Sequence, residues 1–310
     1  MNSINVFAPA TVANVACGFD VMGFALQGIG DELVIRKTEN LGLNITAIHN
    51  ADSLSKNSDE NVVTVSTQAL LGNLETQPEF GFEFELTKRV KPGSGLGSSA
   101  SSSAAAVFGV NELLGKPFSK KELVAFAMEG ERLASGIPHA DNVAPSLLGG
   151  FILIRSYNPL DIIELDYPDD LVATVIHPQI EIKTADAKKM LRKQIELKDA
   201  ITQWGNIGGL VSGLAIADYE LIGRSLHDVI AEPIRGILIP SFKEAKEAAL
   251  STGALGCSIS GSGPSIFALS RGMDTAKAVA TKFEALFKSI GLESYVHISP
   301  INAKGCEVLK

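Results

Sequence analysis

The sequence predicts an α+β protein built as two domains. Three observations carry that class. Helical segments alternate with short apolar strands along the whole chain. The strand over Phe80–Arg89 sets Phe82, Phe84 and Leu86 against Glu83, Glu85 and Thr87, the half-buried alternation of an antiparallel sheet. A length of 310 residues exceeds what a single core usually serves.

Taken in order, Val6 to Arg36 reads as strand, loop and strand, and residues 49–61 (HNADSLSKNSDEN) as a polar loop. Val62–Leu71 is predicted helical. After the alternating strand comes PGSGLGSSASSSAAA, residues 92–106, whose glycines run into a helix that ends at Gly115 with Pro117 beyond. Ser119 and Glu122 have the spacing of a capping box. The helix they open carries Val124, Ala127, Met128 and Glu131 at i, i+3, i+4 and i+7, which sets a carboxylate in line with the apolar stripe. Burial there is costly unless a cation or donors meet it; a wet Glu131 at a surfacing stripe is the alternative. Residues 135–151 (SGIPHADNVAPSLLGGF) gather His139, Asp141 and Asn142 between glycines and prolines, a concentration typical of a site. A boundary near Arg155 divides the chain into domains 1–155 and 156–310. The second half offers strands at 171–176, 265–269 and 294–299, with helices around 185–198, 201–217, 241–251 and 275–290. Gly261 and Gly263 form a tight turn before the middle strand.

Composition narrows the function classes. A net charge of −8 argues against a general nucleic-acid binder. An acidic protein that binds a nucleotide must use backbone amides, a metal and a few placed cations. The opening MNSINVFAPATVANV lacks a basic stretch followed by a long apolar core, so no signal peptide is expected. No apolar run approaches membrane length. Cys17, Cys257 and Cys306 are odd in number and far apart, as expected of reduced, packed thiols in the cytoplasm. The five histidines are too scattered for a histidine metal site.

The glycine loop carries the chemistry. Gly93, Gly95 and Gly97 can adopt backbone angles closed to other residues and let an anion approach the main chain. A helix start beyond them presents unpaired N–H groups and a partial positive charge. Together these make a phosphate cradle. A flexible Gly/Ser linker is the competing reading, but linkers do not continue into VFGVNELLG with helical spacing. The preceding strand is half-polar and the spacing is GxGxG, which sets aside the dinucleotide fingerprint of an NAD enzyme. No GxxxxGK follows Walker spacing, and no GxSxG elbow marks a hydrolase.

Three clusters, at 6–26, 92–106 and 256–269, together resemble those of the GHMP kinases. The middle loop is similar to that superfamily's PxxxGLGSSA. APATVANVACGFDVMGFAL, GIPHADNVAPSLLGG, EPIRGILIP and SISGSGPS resemble its homoserine kinase branch, and the matches keep their order from Val6 to Ser265. The resemblance implies a two-domain GHMP kinase fold: a mixed-sheet nucleotide domain like domain 2 of ribosomal protein S5, then a ferredoxin-like α/β sandwich. It implies phosphoryl transfer from ATP to the hydroxyl of L-homoserine, on the route to threonine. ATP would contact Asn61 and the run Lys91, Pro92, Gly93, Ser94, Gly95, Leu96, Gly97, Ser98, Ser99, Ala100 and Ser101. Ser99 and Glu131 would hold Mg²⁺. Asn14, Asp20, His139, Asn142, Thr184, Lys188, Arg235 and Gly261 would bind the amino acid. Asp20 suits its ammonium, Arg235 its carboxylate, and Asn142 its accepting hydroxyl. Nucleic acid and membrane are not expected partners; a homodimer is compatible with the sequence, which does not set the oligomeric state.

Two departures stand out. Lys91 occupies a position where the family often has proline, which would add a cation near phosphate. Lys188 stands where the family usually has arginine, and lysine cannot make the two-pronged carboxylate contact. Asp141 is available as a general base, although the homoserine branch is held to stabilise the transition state directly. The alternatives are a mevalonate-type kinase and a non-catalytic sensor of nucleotide and metabolite; the retained Ser99 and Glu131 argue against the sensor.

Overall fold

The alternating strand forms as expected, over Gly81–Thr87, and sits inside a seven-stranded sheet. The computed structural model describes residues 2–180, 182 and 190–309. The first half holds strands β1 (Ser3–Ala13), β2 (Met22–Thr38), β3 (Leu43–His49), β4 (Gly81–Thr87), β5 (Phe151–Tyr157) and β6 (Leu160–Leu165). Its helices are α1 (Val62–Leu71), α2 (Ser98–Leu113), α3 (Lys120–Ser135) and α4 (Val143–Leu148). The second half holds β7 (Leu171–Pro178), β8 (Gly256–Ile259), β9 (Ile266–Arg271) and β10 (Ser294–Pro300). With them run α5 (Leu197–Ile216), α6 (Tyr219–Ser225), α7 (Glu232–Arg235), α8 (Phe242–Ser251) and α9 (Met273–Ser289). The chain closes with β11 (Glu307–Val308).

The first sheet has the order β11-β1-β2-β4-β3, with β5 on β2 and β6 on β5. Its β3–β4 pair is parallel and its other pairs antiparallel, so it is a mixed sheet. The second sheet, β10-β7-β9-β8, is antiparallel throughout. Residue 155, where the sequence suggests a boundary, lies inside β5. The first sheet continues to Leu165 and takes back residues 307–308 through β1. Backbone pairing holds these segments together, and sequence order does not show it.

Three cores follow from the layers. One lies between the first sheet and α1–α4, another between the two sheets with α5 and α6, and the third between the second sheet and α8 and α9. β7 is therefore covered on both faces, which its unbroken run LVATVIHP suits. α2 lies at the centre of the first core, buried almost continuously from Ala100 to Val110. Its Ser/Ala sequence is the condition for that position, since β1, β2, α1, α3 and α4 all close on it. Gly109 belongs to the same economy of volume, because a Cβ there would stand 2.5 Å from Ile35 Cδ1.

The capping box at α3 is present: Ser119 N donates to Glu122 Oε2 at 2.7 Å, and Ser119 Oγ accepts from Glu122 N. The helix expected around 185–198 departs from this pattern. Residues 190–196 are not helical, α5 begins at Leu197, and 185–189 lie outside the described residues. Cys17, Cys257 and Cys306 are free and buried, and burial raises all three thiols, Cys17 and Cys306 to about 12. No helix among the described residues is long and apolar enough to cross a membrane.

Candidate active site

β4 delivers the chain into the glycine loop, and the loop delivers it to the start of α2. Gly93, Gly95 and Gly97 have φ of 74°, 79° and 67°, a conformation that costs an L side chain energy at each position. Gly97 is the N-cap of α2, so no side chain satisfies the first amides of that helix. Those amides open onto a cavity of about 470 Å³. Gly97 also admits its neighbours: a Cβ there would stand 2.1 Å from Thr11 Oγ1 and 2.8 Å from Asn142 Oδ1.

A buried ion pair anchors the loop. Asp31 on β2 accepts from the amides of Arg89 and Val90, at 3.0 and 3.1 Å, and from the hydroxyls of Ser101 and Ser102, at 2.7 and 2.9 Å. Lys88 donates to the same carboxylate, to Ser98 O at 2.7 Å and to Ser102 Oγ at 3.0 Å. One carboxylate thus ties the entrance of the loop to its exit. Burial pulls the Lys88 ammonium down from its ordinary range, and Asp31, then Glu131, pull it back. Lys88 itself lines the cavity.

Glu131 is buried on α3 and lines the same cavity as Ser99. Gly130 makes this possible. A Cβ at that position would meet Ser103 Oγ at 2.2 Å and Ser66 Oγ at 2.5 Å, so α3 can approach α1 and α2 only without one. The cation question raised by the helical stripe has an answer here, because Lys88 interacts electrostatically with Glu131.

At the other end of the cavity, Asn14 and Asp20 sit in a turn after β1, both with φ of 56°. Asn14 Nδ2 donates to Gly261 O at 2.8 Å, and its Oδ1 accepts from Asp20 N at 2.8 Å. His139 Nδ1 lies 3.8 Å from Asp20 Oδ1. Tyr157 links two segments: its hydroxyl donates to Asp20 O at 2.8 Å and accepts from Ala140 N at 3.3 Å. Asn142 Oδ1 accepts from Thr11 Oγ1 at 2.7 Å, which fixes the orientation of its amide. Arg235 is buried over the ring of Phe19 and donates to Gly261 O at 3.3 Å. Burial lowers its guanidinium, against the pull of Asp20, then Asp228 and Asp141. Its Nε has no partner among the described residues.

Of the residues singled out from sequence, Asn61, Pro92, Gly93, Gly95, Gly97, Ser98, Ser99, Glu131, Asn14, Asp20, His139, Asn142, Arg235 and Gly261 all line this one cavity. Both ends of the Asn61 side chain serve the fold, capping Val63 N and donating to Ser55 O. Five of the expected nucleotide contacts are placed elsewhere. Leu96 is in the core between the sheets, Ala100 in the core under α2, and Ser101 is turned to Asp31. Ser94 is buried against the turn before β9, its carbonyl accepting from Ser265 N. Lys91 reaches away to Gln179 Oε1 at 3.1 Å. Side chains that alternate along the loop cannot all face one ligand. Thr184 and Lys188 lie outside the described residues. Asp31 and Lys88 are missed by sequence reasoning, since 57 residues separate them and neither belongs to a motif.

Two family models match the chain. The GHMP kinases N terminal domain matches residues 61–150, and the GHMP kinases C terminal domain matches 210–289. The chain belongs to the GHMP kinases. Among relatives of this GHMP kinase, a homoserine kinase from Chlorobium phaeobacteroides is 48% identical over 320 residues, covering all of both chains. One from Chloroherpeton thalassium is 46% identical over 319 residues, again covering all of both. The crystal structure of a homoserine kinase from Cytophaga hutchinsonii superposes with a TM-score of 0.96 at 52% identity, covering 100% of this chain and 98% of that one. A mevalonate kinase from L. major shares the fold, with a TM-score of 0.71 at 17% identity over 95% of each chain.

Proposed function

We propose that this GHMP kinase transfers the terminal phosphoryl group of ATP to the hydroxyl of L-homoserine, giving O-phospho-L-homoserine and ADP. The observation that carries the reading is a single cavity with two chemically different ends. One end has the uncapped start of α2 behind three left-handed glycines, suited to phosphate oxygens. The other has Asp20 and Arg235, a carboxylate for an ammonium and a guanidinium for a carboxylate. Full-length likeness to homoserine kinases supports the choice of amino acid.

In this reading Gly93, Gly95, Gly97 and Ser98 hold the phosphates. Asn14, Asp20, His139, Arg235 and Gly261 hold the amino acid, with Thr184 and Lys188 as further contacts. Asn142, oriented by Thr11, directs the accepting hydroxyl toward the α2 start. That oxygen forms the new P–O bond as the bond to the ADP oxygen breaks. The buried ammonium of Lys88 adds positive charge beside the helix start, and transfer of this kind relies mostly on such positioning and neutralisation. Ser99 and Glu131 fit a divalent cation, because Glu131 is a buried carboxylate in the cavity that holds the helix start. Mg²⁺ bound there would neutralise phosphate charge. The hydroxyl proton leaves as the new P–O bond forms, to an oxygen of the transferring phosphoryl group or to the carboxylate of Asp141, which is buried beside Asn142. A cytoplasmic homodimer completes the proposal.

The test is ADP release from the purified protein with homoserine, mevalonate and a panel of other alcohols, with and without Mg²⁺. Release that depends on homoserine and Mg²⁺ is expected. A folded protein that releases ADP with mevalonate alone, or with no alcohol in the panel, overturns the reading.

A further inference from the structure

The glycine loop has two sides. Gly93, Gly95 and Gly97 line the large cavity, whereas Lys91, Ser94 and Leu96 line a second one, of about 210 Å³, directly behind it. One peptide is therefore the shared wall of two cavities. The rear cavity lies where the two sheets meet, between Ile29 of β2, Arg89 and Val90, and His177, Tyr295 and His297 of the second sheet with Gln179 just beyond β7.

Its lining is unusual for a fold gap. Tyr295 pairs directly with His177 across β7 and β10, which brings His297, two residues on, to the same face as His177. Gln179 organises the polar groups: its Oε1 accepts from Lys91 Nζ at 3.1 Å, and its Nε2 donates to His177 Nδ1 at 3.1 Å. With Nδ1 accepting, Nε2 of the neutral His177 ring is its donor nitrogen. Four groups that carry or can take positive charge, Arg89, Lys91, His177 and His297, thus border a space with no carboxylate among the described residues that line it. Among the described residues, Glu32 pairs with Arg89 at 2.7 Å and Glu293 with the Tyr295 hydroxyl at 3.1 Å. Burial, with Lys91 and His297 as further causes, holds His177 down to about 4, and burial also lowers His297. Each of these groups would be relieved by a negative charge in their midst.

We propose that the rear cavity is a binding site for a small oxyanion, a carboxylate or a phosphate-type group, which acts on nucleotide affinity through the back of the glycine loop. The anion would accept from Lys91 and from the two imidazoles. Its hold on Lys91 would bear on the residues that reach Ser94 and Leu96, whose neighbours hold the phosphates on the other face. Binding draws protons onto the imidazoles, so affinity rises as pH falls from 8 to 6, by at most about tenfold per pH unit for each proton taken up.

The experiment uses the full chain with ring-¹⁵N histidine, titrated with sulfate and separately with acetate, both of fixed charge over pH 6–8. His177 and His297 are expected to shift together and saturably, more strongly at pH 6. His139 reports the large cavity in the same spectra, so front occupancy is seen separately. Tighter sulfate binding assigns a phosphate-type ligand, and tighter acetate binding a carboxylate; either supports the site. Arg89→Ala at the exposed rim and His297→Gln inside should each weaken the response at least about fivefold, and two variants guard against one misfolding. Saturating anion should change the wild-type dissociation constant for a nonhydrolysable ATP analogue at least about twofold, and that of the variants less. If His177 and His297 stay still while His139 moves or nothing moves, or if nucleotide affinity is the same with the site full, the proposal is overturned. ADP release measured on the same preparations separates that failure from a failure of the kinase reading.

Discussion

Gly97→Ala tests the phosphate cradle with one methyl group. Gly97 has φ of 67°, where an L residue costs about 1–2 kcal/mol. The added Cβ would stand 2.1 Å from Thr11 Oγ1, so the loop or Thr11 must move by roughly 1 Å to restore ordinary contact. That movement disturbs the 2.7 Å bond from Thr11 to Asn142, worth about 1 kcal/mol, and turns the amide that faces the accepting hydroxyl. The sum is about 2–3 kcal/mol of stability, while misplacing the helix start by about 1 Å costs roughly a hundredfold in turnover. Coupled ADP-release kinetics and urea unfolding of the same sample separate the two effects. An alanine variant with kcat/KM within about twofold of the parent would refute the argument that α2's first amides and Asn142 are set by this glycine.

Other consequences follow from neighbouring contacts. Glu131→Gln keeps shape and removes charge, so turnover should fall at least about a hundredfold while the unfolding midpoint moves little, and equal activity would remove the metal assignment. Lys88→Met strands a buried carboxylate; with four other donors on Asp31, the loss should lie near the lower end of the usual range, about 3 kcal/mol by denaturant unfolding. Tyr157→Phe cuts the link between Asp20 O and Ala140 N, so the KM for homoserine should rise about tenfold at most while that for ATP stays constant. His177 is held down to about 4 against an ordinary 6.5, so the unfolded chain binds the extra proton between those values. Stability from this group is therefore present above pH 6.5 and is lost as pH falls toward 4, by about 3 kcal/mol at most. His177→Gln should flatten that part of the pH–stability curve.

Much of the site could be read along the chain because it depends on local backbone and short periods. Left-handed glycines at every second residue, a capping box at Ser119, and a carboxylate one turn beyond Met128 are features of one segment each. They predict a cradle, a helix start and an acid in line with an apolar stripe without a partner strand, while the burial of that acid is settled only by packing. Lys91 shows where such reading ends: it stands among the loop residues, yet the loop turns its side chain to Gln179 and away from the large cavity. Residues 190–196 fail for a related reason, since a stretch rich in helix formers still needs a surface to pack on, and the first side chain that α5 buries is Ala200.

By itself, then, the amino-acid order determined which segments could be strand, helix or cradle, and which side chains had the charge to meet phosphate, ammonium and carboxylate. Only the tertiary structure decided that Asp31 joins Lys88 across 57 residues, that Thr11 orients Asn142 across 131, and that residues 307–308 complete the first sheet. Contacts of this kind are chosen when whole layers pack, because a buried charge or a sheet edge accepts whichever partner the closed core leaves beside it.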